Sequence, residues 1–204
     1  MNIAIFASGR GSNFAALLRA EKKGIFKANI SLLVCDNPQA PVIAKAKRAK
    51  IKVALVQRKD FASKQEFEQK IIGHLKENKI DLIAMAGFMR MLSPEFVNLY
   101  KNKIINIHPA LLPSFKGSSG IKDAFEHGVK VTGVTVHFVD EEMDHGPIIL
   151  QAHVKIEKTD TMESLEEKIH RAEHKLYPQA VKLFVEGRLF PHRTLIQDDP
   201  CVSD

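Results

Sequence analysis

The sequence predicts an α/β fold. It is a Rossmann-like, mostly parallel sheet with helices on both faces, extended toward the C-terminus by antiparallel or mixed strands and closed by a long helix. Three observations predict it. Short apolar runs rich in β-branched residues alternate with stretches of helical periodicity over most of the chain, the pattern of successive βαβ units. The last two apolar runs are joined by residues 140–146 alone, too short for a crossover helix and suited to an antiparallel return. The final periodic segment is the longest and is amphipathic.

In order, the first strand is expected at 2–7, where Ile3 to Ala7 are uninterrupted apolar residues, as burial on both faces requires. A helix follows at 12–22. The second strand, 29–35, closes on Cys35, and a helix at 40–49 leads to a third strand at 52–56. A helix at 63–78 precedes a fourth strand at 81–86, and a shorter one at 93–100 precedes the fifth, 103–108. After a helix at 119–127 come the two strands that break the pattern, 131–139 and 147–156. These contain alternating polar residues and read as the antiparallel extension. The closing helix, 161–186, carries Leu165, Ile169, Leu176, Val181 and Leu183 at apolar positions, with Asp160 or Thr161 as its cap.

Composition narrows the class. The 204 residues suit one α/β domain with a full core, expected over 1–190, with 191–204 as a polar tail that has little to bury. No apolar stretch approaches the roughly 20 residues that span a bilayer, and no basic region precedes the first strand as in a signal peptide. The two cysteines, Cys35 in a strand and Cys201 in the tail, make no disulfide framework. A cytoplasmic protein is expected, as a monomer or homodimer, with no membrane partner. The net charge of +6 and pI near 9.3 suit a pocket for phosphates and carboxylates as well as nucleic acid. Lys45, Lys47, Arg48, Lys50 and Lys52 read as a solvated helix face. No aromatics interleave with them and tryptophan is absent, so base stacking, and with it nucleic acid, is not expected.

Directly after the first strand stands Ser8-Gly9-Arg10-Gly11-Ser12-Asn13. Glycines let the backbone turn tightly, and N–H groups at a helix start bind phosphate oxygens. Ser12 and Asn13 add side-chain donors and are good helix caps. A plain βα turn is the structural alternative. A dinucleotide fingerprint is the functional one, with Asp36 as the ribose acid. It fails in detail: the third glycine of the fingerprint falls at Phe14, and Asp36 opens Asp36-Asn37-Pro38, an ordinary turn. A single phosphate, as on a phosphoribosyl group, fits better.

The segment Ile104-Ile105-Asn106-Ile107-His108-Pro109 carries the chemistry. Alternation along a strand puts Asn106 and His108 on one face, at the carboxyl end where open parallel sheets bind ligands. An amide donor beside an imidazole meets the needs of a tetrahedral oxyanion: a fixed N–H and a tunable proton. In the loop at 140–146, Glu141 and Glu142 read as solvated. Asp144 beside a histidine site raises the imidazole pKa and favours its protonated form. His137 either faces the same site or has a structural role.

Four segments are similar to one family. Ser8 to Asn13, Ala86-Gly87-Phe88-Met89-Arg90-Met91-Leu92, Asn106-Ile107-His108-Pro109-Ala110-Leu111-Leu112-Pro113 and Asp144-His145-Gly146-Pro147-Ile148-Ile149 resemble the folate-dependent formyltransferases of the phosphoribosylglycinamide type. The resemblance runs in order from Met1 to about Phe190. It implies transfer of a formyl group from the co-substrate 10-formyltetrahydrofolate to the amine of glycinamide ribonucleotide, in purine biosynthesis. It further implies that Asn106, His108 and Asp144 are catalytic, and that Gly11, Ser12, Asn13 and Glu173 bind the ribonucleotide. Lys64, Met89, Arg90, Met91, Leu92 and Asn106 would contact the folate. The chain departs from the family pattern at Ser114 to Gly120, a loop expected to shape access, and at His145, expected to place a second imidazole beside Asp144.

Other readings remain to be weighed. A methionyl-tRNA formyltransferase carries an extra C-terminal domain, for which few residues follow the closing helix. A formyltetrahydrofolate deformylase carries a regulatory domain ahead of the core, whereas this sequence opens on its first strand. A non-enzymatic phosphoribosyl-binding module needs the glycine loop but not Asn106, His108 and Asp144. The stretch His170-Arg171-Ala172-Glu173-His174 matches a zinc-binding pattern with two histidines one helical turn apart. That reading leaves the glycine loop, Asn106 and His108 without a role, and no metal is expected.

Overall fold

The computed structural model describes residues 1–189; the expected tail at 191–204 lies outside them. Five strands, β1 (Asn2–Phe6), β2 (Asn29–Cys35), β3 (Lys52–Leu55), β4 (Leu82–Met85) and β5 (Ile104–His108), are mutually parallel. Two more, β6 (Val131–Phe138) and β7 (Ile148–Lys155), continue the sheet antiparallel. The order across the sheet is β3-β2-β1-β4-β5-β6-β7. The helices are α1 (Ser12–Lys22), α2 (Val42–Arg48), α3 (Lys64–Glu77), α4 (Pro94–Leu99), α5 (Gly120–His127) and α6 (Met162–Val185). Every expected element is present, with ends displaced by no more than two residues; a short 3-10 turn at Arg58–Asp60 is an addition.

Strand alternation divides the core in two. Ile3 and Ile5 of β1 face a layer with Phe14 and Leu17 of α1 and with Leu165, Ile169 and Val181 of α6. Ala4 and Phe6 face the opposite layer, with Phe67, Ile71 and Leu75 of α3 and Phe96 of α4. Phe6 meets Phe88 and Phe96 edge-on, with centroids 5.2 and 6.3 Å apart. The closing helix is started by a capping box in which Thr161 and Ser164 exchange side-chain and backbone hydrogen bonds. Its Tyr177 is fully buried and donates to Met85 O at 2.7 Å, with Ile105 O at 3.2 Å. One side chain thereby ties α6 to the two central strands β4 and β5.

Two local features differ from the sequence reading. Ser12 and Asn13 do not cap α1. They are its first two residues, and the cap is Gly11 in left-handed backbone, φ 69°. A side chain is excluded there because a Cβ would lie 2.4 Å from Val42 Cγ2. The strand β6 is buried on both faces from Thr132 onward, not alternately. Its second face is covered by the chain after β5, where Thr135 Oγ1 donates to Ala110 O and accepts from Leu112 N. The cis peptide at Leu112-Pro113 lies in that same covering segment.

The order of strands sets where a ligand goes. The chain leaves β1 toward β2 on one side and returns from β3 to β4 on the other, so the connections diverge between β1 and β4 and open a crevice at their carboxyl ends. There Ser8 N donates to Gly87 O at 3.0 Å, joining the loops that follow β1 and β4.

Candidate active site

At these strand ends lies a cavity of about 380 Å³, within the size range of small-molecule sites. Its lining comes from 9–13 after β1, 85–92 after β4, 106–109 on β5, and His137 at the end of β6. Val97 of α4, Gly117 and Ser118, residues from the β6–β7 loop, and His170 and Glu173 of α6 complete it. Segments far apart in sequence thus meet around one space.

At its centre, Asn106 and His108 project from the same face of β5, opposite His137 and Thr135 of β6. Asp144 reaches them from the loop. Its Oδ2 lies 3.4 Å from His108 Nδ1 and its Oδ1 lies 3.7 Å from His137 Nε2. Asn106 Nδ2 donates to His137 Nε2 at 3.2 Å and lies 3.5 Å from Asp144 Oδ1. His137 Nδ1 can only donate to its partner, the Phe138 carbonyl at 2.8 Å, so in the neutral ring Nε2 is the acceptor that Asn106 needs. Burial opposes ionisation of Asp144, but its pairing with His137, the hydrogen bond from the Gly117 N–H and the nearness of His108 outweigh it. They hold its pKa below the ordinary carboxylate value.

The departing loop at 114–120 takes part directly. His108 Nε2 donates to Phe115 O at 2.8 Å, and Gly117 N donates to Asp144 Oδ2 at 2.8 Å. Gly117 holds φ 94°, a backbone that glycine adopts without strain. Both nitrogens of His108 are therefore turned to protein groups. His137 and this loop were the residues that sequence reasoning left open or without contacts. The one usable signal was alternation in β6, which places His137 across from Asn106.

The glycine loop forms the second end. Gly11, Ser12 and Asn13 line the cavity with the start of α1. Glu173 is nearly buried and accepts from Asn13 Nδ2 at 3.0 Å and from His170 Nδ1 at 2.8 Å. His170 also lies 3.3 Å from Glu166, which pairs with Arg10 at 2.6 Å. The Glu173 hydrogen bond is the main reason the His170 pKa is raised. His174 is shifted down, chiefly by burial. The rings of His170 and His174 stack with centroids 6.3 Å apart, and among the described residues no cluster of metal-ligating side chains forms.

Met89, Arg90, Met91 and Leu92 form the third wall, where Met89 and Met91 are exposed and Leu92 is buried. Lys64 stands outside the lining. Its ammonium lies 3.9 Å from Glu68, which accepts from Ser93 N just beyond that wall. His145 does not place a second imidazole beside Asp144: it turns outward and pairs with Asp140 at 2.7 Å. Asp144 itself holds φ 48°, in the left-handed region.

A family model described as formyl transferase matches residues 1–181. The chain belongs to the formyl transferase family. It is 48% identical over 179 residues to the phosphoribosylglycinamide formyltransferase of Bacillus subtilis, covering 88% of this chain and 92% of that protein. The crystal structure of phosphoribosylglycinamide formyltransferase from Bacillus halodurans superposes with a TM-score of 0.89 at 42% identity, covering 93% of this chain and 97% of the other. Glycinamide ribonucleotide transformylase 1 from Geobacillus kaustophilus gives 0.88 at 47% identity, covering 90% and 98%. As a formyl transferase the chain has the mixed seven-stranded sheet and closing helix of those structures.

Proposed function

We propose that this formyl transferase moves the formyl group of 10-formyltetrahydrofolate to the amine of glycinamide ribonucleotide, a step of purine biosynthesis. One observation carries the reading. A single cavity joins a helix-start glycine loop suited to a phosphate, a centre of Asn106, His108 and Asp144, and an apolar wall at 89–92 suited to a folate ring. The relatives' names support the same acceptor. We further propose that 1–190 is one cytoplasmic formyltransferase domain with 191–204 as its tail, acting as a monomer or homodimer.

In this mechanism Gly11, Ser12 and Asn13 hold the phosphate end, and Glu173 holds the glycinamide end. Residues 89–92 hold the folate, with Lys64 beyond them at the outer edge. Bringing both substrates into one cavity contributes several kcal/mol, about the scale of known proximity effects. The neutral amine attacks the formyl carbon. Asn106 and protonated His108 stabilise the developing oxyanion. An oxyanion is a stronger acceptor than a peptide carbonyl, so the formyl oxygen displaces Phe115 O from His108 Nε2 as charge develops. Asp144, ionised, sustains the imidazolium. Directly or through water, it then passes the proton of the attacking amine to the departing folate nitrogen.

The test is an absorbance assay of 10-formyltetrahydrofolate consumption with glycinamide ribonucleotide, charged methionyl-tRNA or water as acceptor. Turnover with glycinamide ribonucleotide is the expected result. Turnover only with one of the others leaves formyl transfer standing and overturns the acceptor. Binding of ribonucleotide with no transfer to any acceptor favours the non-enzymatic reading.

A further inference from the structure

Asp36 lies one residue beyond β2 and outside the cavity lining, yet its carboxylate is 8% exposed and fully engaged. Its Oδ1 accepts from Ser8 Oγ at 2.5 Å, and its Oδ2 accepts from Arg90 Nε. Both oxygens are thus engaged within the protein. The two partners lead to different parts of the site. Ser8 leads directly into the glycine loop and is also held by Asn37 Nδ2 on its carbonyl at 3.2 Å. Arg90 lies in the apolar wall, with its guanidinium carbon 5.8 Å from the centre of the Phe67 ring. The Nε edge of Arg90 is thus fixed by Asp36 and one face by Phe67. Its two amino groups make no hydrogen bond among the described residues.

We propose that Asp36 is a positioning residue for formyl transfer, holding the Arg90 guanidinium and the donor wall in register with the phosphate loop through Ser8. The proposal rests on the function given above. Arg90 is the partner that carries the opposite charge and lines the donor wall, whereas Ser8 is neutral and lies outside the lining. Loss of Asp36 therefore falls on the donor, not on the acceptor or the chemical step.

The experiment is steady-state kinetics on the full chain with both substrates varied. Asp36→Ala is expected to raise the donor KM about tenfold, with kcat and acceptor KM within about twofold. Asp36→Asn keeps an oxygen for Arg90 and an amide for Ser8, so it recovers most of the loss, leaving the donor KM about threefold above wild type. In an Arg90→Ala background, Asp36→Ala adds less than about twofold, because coupled residues do not add. An unchanged donor KM in a folded Asp36→Ala protein overturns the proposal. So do equal losses for both substrates without rescue by Asn, or full additivity with Arg90→Ala. If Asp36→Ala does not fold, Asp36→Asn decides: its donor KM must rise in the wild-type background and not beside Arg90→Ala. Absence of transfer from 10-formyltetrahydrofolate to glycinamide ribonucleotide in the wild type overturns the underlying function instead.

Discussion

Asp144 makes four contacts from one carboxylate: His108, the Gly117 N–H, His137 and Asn106. Replacing it by Asn keeps the size but removes the charged group to which the proposed mechanism gives the proton transfer. Turnover is expected to fall by about 100-fold or more, with ribonucleotide binding by calorimetry unchanged; near-normal turnover sinks the role. The acid side has a definite sign. A carboxylate whose folded pKa lies below its ordinary 3.8 contributes stability above that value and loses it as pH falls through the lowered one. The stability advantage of wild type over Asp144→Asn, read from urea midpoints, should thus persist at pH 5 and shrink only below about 3.8. His170 has the opposite sign. Its pKa is raised above 6.5, first by Glu173, so its contribution is full below that pH and is lost as pH rises through the raised value. A wild-type advantage over His170→Gln that instead grows on raising pH excludes this account.

Among the elements, the start of α1 depends most on backbone. Gly11 is left-handed, and a Cβ there would run into Val42, the first residue of α2. A left-handed backbone costs an L-residue about 1–2 kcal/mol, and the Val42 clash adds to it. Gly11→Ala should therefore lower the thermal midpoint and also raise the acceptor KM, because the turn sets where the helix-start N–H groups point. Loss of stability with an unchanged acceptor KM would separate the turn from phosphate binding. The loop after β5 is the other sensitive element. It covers the second face of β6 through Thr135 and touches the centre through Phe115 and Gly117. No periodic pattern marks such a segment, since its bonds are between backbone groups and distant side chains.

For the molecule as a whole, α6 closes one face of the sheet and brings Glu173 and His170 to the site, and Tyr177 is its polar anchor. Tyr177→Phe removes the hydroxyl from two buried carbonyls. An unsatisfied buried group costs about 1–3 kcal/mol, and about 2–4 °C of melting temperature accompanies each kcal/mol at this size. Calorimetry should show a lower midpoint with site residues still active at low temperature. The strands and helices were legible because apolar runs and helical periodicity are local properties of the chain: Ile3 to Ala7 mark a buried strand before any contact is known. Asn106 and His108 were legible as a pair for the same reason. Asp144 was legible only through resemblance, because 36 positions separate it from His108 and alternation says nothing about where a loop returns. Lys64 and His145 show the other side of that limit, since their side chains were set by Glu68 and Asp140 and not by the site. By itself the sequence determined the alternation of elements, the glycine turn and the strand end that carries an amide and an imidazole. Only the tertiary structure decided that Asp144, His137 and Phe115 close on that pair and that Asp36 joins two walls, because side-chain hydrogen bonds across the chain depend on distance in space.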